Sequence, residues 1–137
     1  MKKILIIAVS LILFLFSASA CNNAGDTKDC IRTTGSSTLY TEDDINKIMD
    51  IVENYFIEKF EGCSLLELRY DEEYSDKCCG AWANQYDADR AIVFKSDFYV
   101  SPTGGDGSLN QDSTYKDWEW ILTQNDGEEW TLRTWGY

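Results

Sequence analysis

A chain of 137 residues with 24 acidic side chains, 12 basic ones and no histidine carries a formal charge of −12. That balance argues against nucleic acid and anionic lipid headgroups as partners. The missing imidazole removes Ser-His triads, the common zinc hydrolases and histidine acid-base chemistry.

The chain opens with "MKKILIIAVSLILFLFSASAC": Lys2 and Lys3, an apolar run from Ile4 to Phe16 broken only by Ser10, then small residues up to Cys21. This is the pattern of a secretory signal over residues 1–20, too short for a membrane span of roughly 20 apolar residues. The cysteine after Ala18-Ser19-Ala20 resembles a bacterial lipobox. That resemblance implies a lipid on the Cys21 thiol, extracytoplasmic location at the cell membrane or surface, and the membrane as a partner through the anchor. Residues 21–39 hold few apolar side chains and read as a flexible tether, which leaves residues 40–137 for a single domain with one modest core. Loss of the two leader lysines leaves 24 acidic residues against ten basic ones.

Four further cysteines, Cys30, Cys63, Cys78 and Cys79, are expected to pair as disulfides outside the cytoplasm, in one of three connectivities. Adjacent Cys78 and Cys79 are poorly placed to bond each other, and they lack the two-residue spacing of a zinc chelate. No metal or cofactor is expected.

"TEDDINKIMDIVENYFIEKFEG" predicts the first helix, with Thr41 as N-cap, Asp44 three residues on, an apolar stripe from Ile45 to Phe60, and Gly62 as the stop. In "CSLLELRYDEE", Leu66, Leu68 and Tyr70 alternate with Glu67 and Arg69, the pattern of a half-buried strand. "SDKCCGAWANQYD" predicts a weaker helix capped by Ser75, with Cys79, Trp82, Ala83 and Tyr86 on one face and Gly80 weakening it. "RAIVFKSDFYVSP" predicts a long strand with Ile92, Phe94, Ser96, Phe98 and Val100 on one side, ended by Pro102. On its other side Asp97 and Tyr99 point the same way, the one pair that could serve a carboxylate and phenol pocket. The loop "TGGDGSLNQDSTYKD" matches a calcium-loop template poorly: Gln111 stands where the sharp-turn glycine belongs, and Asp117 is shorter than the bidentate glutamate.

The last segment, "DWEWILTQNDGEEWTLRTWGY", predicts a hairpin through Asn125-Asp126 with Gly127 left-handed. Its expected register sets Leu122 opposite Trp130, Trp120 opposite Leu132 and Glu119 opposite Arg133. Trp118, Trp120, Leu122, Trp130 and Leu132 then form one apolar face, while Trp135 falls on the opposite face with Ile121 and Arg133, available to a partner. The expected fold class is α+β, a long amphipathic helix on a curved antiparallel sheet in the order α-β-α-β-β-β.

The runs "YTEDDINKIMDIVENYF", "FEGCSLLELRYDEE", "WANQYDADRAIVFKSDF", "GGDGSLNQDSTYKDWEWIL" and "GEEWTLRTWGY" resemble an uncharacterised family of small, mainly Gram-positive bacterial lipoproteins, a domain of unknown function. The closing hairpin is similar to that of nuclear-transport-factor-2-like or cystatin-like domains, in which a helix lies in the mouth of a bent sheet; the chain departs from the wider fold in lacking its three-helix beginning. The family brings no activity with it. The favoured expectation is a non-enzymatic binding or interaction module for a small molecule, peptide or envelope protein. The alternatives are an immunity-type acidic protein that neutralises a basic partner, or an enzyme using Asp97 and Tyr99.

Overall fold

The computed structural model describes residues 24–137, so the signal segment and Cys21 lie outside the described residues. Seven elements follow in order: β1 (Ile31–Thr33), α1 (Glu42–Lys59), β2 (Cys63–Tyr70), α2 (Glu72–Gln85), β3 (Arg90–Val100), β4 (Ser113–Gln124) and β5 (Thr131–Gly136). The fold is α+β, with one five-stranded sheet in the spatial order β1-β2-β3-β4-β5. The sheet is mixed rather than antiparallel throughout, because β1 pairs parallel with β2. No helix among the described residues is long and apolar enough to cross a membrane.

The α1 helix starts where local chemistry requires. The Thr41 hydroxyl accepts from the Asp44 amide at 3.1 Å while the Asp44 carboxylate accepts from the Thr41 amide at 3.1 Å, and Glu42, Asp43 and Asp44 place negative charge at the positive end of the dipole. Its last helical residue is Lys59, with Phe60 as cap. Gly62 lies two residues beyond that cap, in the turn, at φ +67°, a conformation that costs a side chain but not glycine. Ile45, Ile48, Met49, Val52 and Phe56 bury completely against Leu65, Leu68, Phe94, Phe98 and Trp120 from the sheet. Full burial of each such side chain contributes roughly 1.5 to 3 kcal/mol.

The segment read as a flexible tether is partly structural. The Asp26 backbone brackets the start of β2, donating to Cys63 at 2.9 Å and accepting from Leu65 at 2.8 Å. Arg32 of β1 then reaches onto α1, bonding Glu53 at 2.8 Å, Asp50 at 2.7 Å and the Asn46 carbonyl at 3.2 Å. Further along, Glu72 accepts from the Thr38 and Leu39 amides at 2.9 and 3.2 Å. Polar ties hold this segment more than apolar burial, to which Cys30 contributes, and that is why its composition concealed it.

The α2 helix lies on the sheet's other face and is capped by Asp71, whose carboxylate accepts from the Tyr74 amide at 3.1 Å. Ser75, expected as the cap, is instead a buried docking point: its hydroxyl accepts from the Val93 amide at 3.0 Å. The expected disulfides are not formed, and all four described cysteines are free thiols. Cys30 and Cys63 pack with the α1-side core whereas Cys78 and Cys79 ride on α2, so the sheet separates the two pairs.

Three bulges reset side-chain parity. Leu66 is the extra residue between the pairs Leu65–Phe98 and Glu67–Asp97; it turns outward, 43% exposed, and Leu65 takes the buried place expected for it. On β4, Lys116 and Asp117 both stand beside Asp97, with Asp117 at φ +56°. On β5, Arg133 is extra between Leu122–Leu132 and Ile121–Thr134. The hairpin turn forms as expected, Asn125 O accepting from Glu128 N at 3.0 Å with Gly127 at φ +78°. Pairing resumes only at Thr123–Thr131, two residues later than the tight register. Trp130 leaves the ladder to sit edge-on to Tyr40 at 6.0 Å and beneath Arg90 at 5.6 Å. Downstream, the Arg133 bulge swings Trp135 onto the α1 side, where it stacks on Trp120 at 6.3 Å, opposite to the face expected from simple alternation.

Candidate functional site

At the C-terminal end of α1 the sheet is not fully covered, and a groove of about 380 Å³ remains. Its walls are Tyr55 from α1, Phe60 from its C-cap, and Trp118 and Trp135 from β4 and β5; Lys59, Glu61, Asp106 and Ser108 supply its polar groups. That volume falls within the usual range for small-ligand sites, about 300 to 1,000 Å³.

Two backbones in close contact set the groove's shape. The Gly62 carbonyl accepts from Ser101 at 3.0 Å and the Glu61 carbonyl from Gly105 at 2.7 Å, clamping the loop after β3 to the turn after α1. A Cβ on Gly104 would lie 2.3 Å from the Gly62 oxygen, so only glycine permits the approach. Within that loop the Asp106 carboxylate accepts from the Ser108 amide and hydroxyl at 2.9 and 2.5 Å. These bonds, the hydroxyl's first, hold its carboxyl below the ordinary range.

The rings differ in what satisfies them. Trp120, fully buried, donates its indole N–H to Ser96 Oγ at 2.8 Å. Among the described residues Trp118 Nε1 is buried without an acceptor, an arrangement buried donors rarely tolerate. Trp135 is tilted on Tyr55 at 4.6 Å and stays 39% exposed. Cys63, at the base of the groove, has its thiol pushed up to about 11 by burial, with the Asp106 charge adding to it. Cys30 is pushed up to about 12 by burial and by Glu53. Thiols held this far from the thiolate are poor nucleophiles.

A second cavity of about 630 Å³ opens on the α2 side, lined among others by Arg69, Tyr74, Lys95 and Asp117. Arg69 is engaged by Glu67 at 3.0 Å, Asp97 at 3.1 Å and Asp117 at 2.8 Å. Lys95 Nζ stands 3.6 Å from the Tyr74 ring centre, and the Tyr74 hydroxyl donates to Glu119. That bond, reinforced by burial, pushes the Tyr74 phenol upward.

Asp97 and Tyr99 share this face but have different partners. Burial pushes the Asp97 carboxyl up, yet the Asp117 amide and the Arg69 guanidinium outweigh it and hold the group below its ordinary range. The Tyr99 hydroxyl donates to Asp112 at 2.6 Å, which raises it. Neither side chain lines the groove or the larger cavity. Sequence reasoning missed the groove because three of its rings were assigned to core and the fourth, Trp135, to the wrong face. The glycine pair 104–105 following Pro102 was the available signal of a close backbone approach.

No protein-family model, curated protein or solved structure matches the chain.

Proposed function

We propose that this protein is a lipid-anchored extracytoplasmic binding module, held at the membrane through Cys21, with the groove at the end of α1 as its ligand site. The observation that carries the reading is the groove's construction: four aromatic walls, one of them the part-exposed Trp135, beside Lys59 and Glu61 at the end of α1 and Asp106 on the glycine-clamped loop. Concave, largely aromatic sites with a few polar groups are where small ligands bind. The likeness to small Gram-positive lipoproteins and to cystatin-like or nuclear-transport-factor-2-like domains belongs to the same proposal. It is supported by the antiparallel order β2-β3-β4-β5 with α1 against one face, while the parallel β1 is a departure.

The test is retention of small molecules from a cell extract, read by mass spectrometry on the immobilised protein. Wild type should enrich a compound that Trp135→Ala does not; equal enrichment, or none, removes the groove as the site. The anchor has its own check, since labelled palmitate should enter wild type and not Cys21→Ala. A second reading, an acidic protein that neutralises a basic partner, draws on Asp71, Glu72, Glu73 and Asp117 around the larger cavity. It predicts partner capture that weakens steeply with salt.

A further inference from the structure

A binding groove's ligand must match what its walls can donate, accept and cover. Trp135, open over 39% of its surface and tilted on Tyr55 at 4.6 Å, presents a flat apolar ring to an incoming molecule. Glu61 and Asp106 add carboxylates, which only accept; both Ser108 bonds to Asp106 go to Oδ1. Lys59 adds an ammonium, which only donates. Trp118 adds ring surface to the wall.

An organic anion, an alkylammonium and an alkyl chain each fail on one of these groups. An organic anion meets Glu61 and Asp106. An alkylammonium suits rings and carboxylates, but meets the like charge of Lys59. An alkyl chain would cover charged groups without bonding them, which costs several kcal/mol. A polyhydroxylated ring fits all of them: each hydroxyl both donates and accepts, and its C–H face packs flat on an indole. We infer that the groove binds a neutral saccharide, stacked on Trp135 and hydrogen-bonded by Glu61, Asp106 and Lys59. The inference rests on the groove reading above and names its ligand class. A volume of about 380 Å³ sets the length at one or two sugar units.

The experiment is a tryptophan-fluorescence titration of the full chain in a detergent without sugar headgroups. The probes are glucose, N-acetylglucosamine, cellobiose, maltose and chitobiose, with tetraethylammonium and hexanoate as competing classes. At least one sugar should give a saturable change at millimolar concentration or below. Glu61→Gln should weaken it roughly tenfold, about 1.4 kcal/mol, and Trp135→Ala should abolish it, while Trp82→Ala on α2 leaves it intact. Glu61 is solvent-exposed, so its variant keeps the test readable if loss of Trp135 disturbs packing on Trp120. Saturation by tetraethylammonium or hexanoate alone, sensitive to Trp135→Ala, overturns the saccharide and leaves the groove standing. A response to none of the probes overturns the saccharide, and the extract experiment then decides the groove.

Discussion

The two faces of the sheet are built on different principles. Toward α1, Phe56, Leu68, Phe94, Phe98 and Trp120 are all fully buried, and the buried hydroxyl of Ser96 is satisfied by the Trp120 indole. Toward α2, only Val93, Ile121 and a few small neighbours are dry, and α2 itself buries Ser75 alone. Ion pairs and a cation over a ring fill the rest. Stability is therefore concentrated on one face, and the other is oriented by polar contacts that solvent and pH can reach.

Truncating each face in turn gives the largest contrast. Phe56→Ala removes a ring that packs on Phe60, Phe98 and Trp120 at 4.7, 5.8 and 6.4 Å, and should cost about 3 to 5 kcal/mol by urea unfolding. Trp82→Ala, part-exposed on α2, should cost no more than about 1 kcal/mol. Equal losses would erase the asymmetry.

Next in size is Gly104→Ala, which forces a Cβ to 2.3 Å from the Gly62 oxygen. Overpacking against backbone should cost up to about 3 kcal/mol. Because the clamp shapes the groove, ligand binding should fall in the fraction that remains folded, whereas Phe56→Ala changes stability first.

On the polar face, Asp97→Asn weakens a carboxylate bonded by Arg69 at 3.1 Å and by the Asp117 amide at 3.0 Å. A loss of about 1 to 2 kcal/mol is expected at neutral pH. Since Asp97 is held below its ordinary 3.8 in the folded state, its contribution is fully present above that value and is lost as pH falls through the folded pKa. Wild-type stability should drop below about pH 4, and the variant's curve should be flatter there. Identical acid limbs would assign the acid sensitivity to other carboxylates.

What the sequence disclosed follows the same division between local and distant causes. The α1 cap and stripe and the alternation of β3 were legible because Thr41, Asp44 and the run from Ile92 to Val100 settle them within a few residues. The bulges were not, since Leu66, Asp117 and Arg133 carry no mark of being the extra residue in a ladder. A single such insertion sent Trp135 across the sheet and built the groove. Strand β1 was hidden for another reason: three residues with two exposed side chains hold no pattern, and Arg32 finds its partners on a helix that begins ten residues later.

The smallest expected effect has the opposite sign. Gly80 lies inside α2, where a Cβ would meet nothing within 4 Å. Alanine there limits the unfolded chain's freedom and adds no clash, so Gly80→Ala should stabilise by about 0.5 to 1 kcal/mol. On the α1 face no comparable gain is open, because Gly25 and Gly104 each lie against backbone at 2.3 Å. A gain that appears in the urea midpoint while the slope stays constant would mean that α2 unfolds together with the sheet. If helix content rises and the main transition does not move, α2 frays independently, and the polar face is then a separable layer on a core that α1 alone completes.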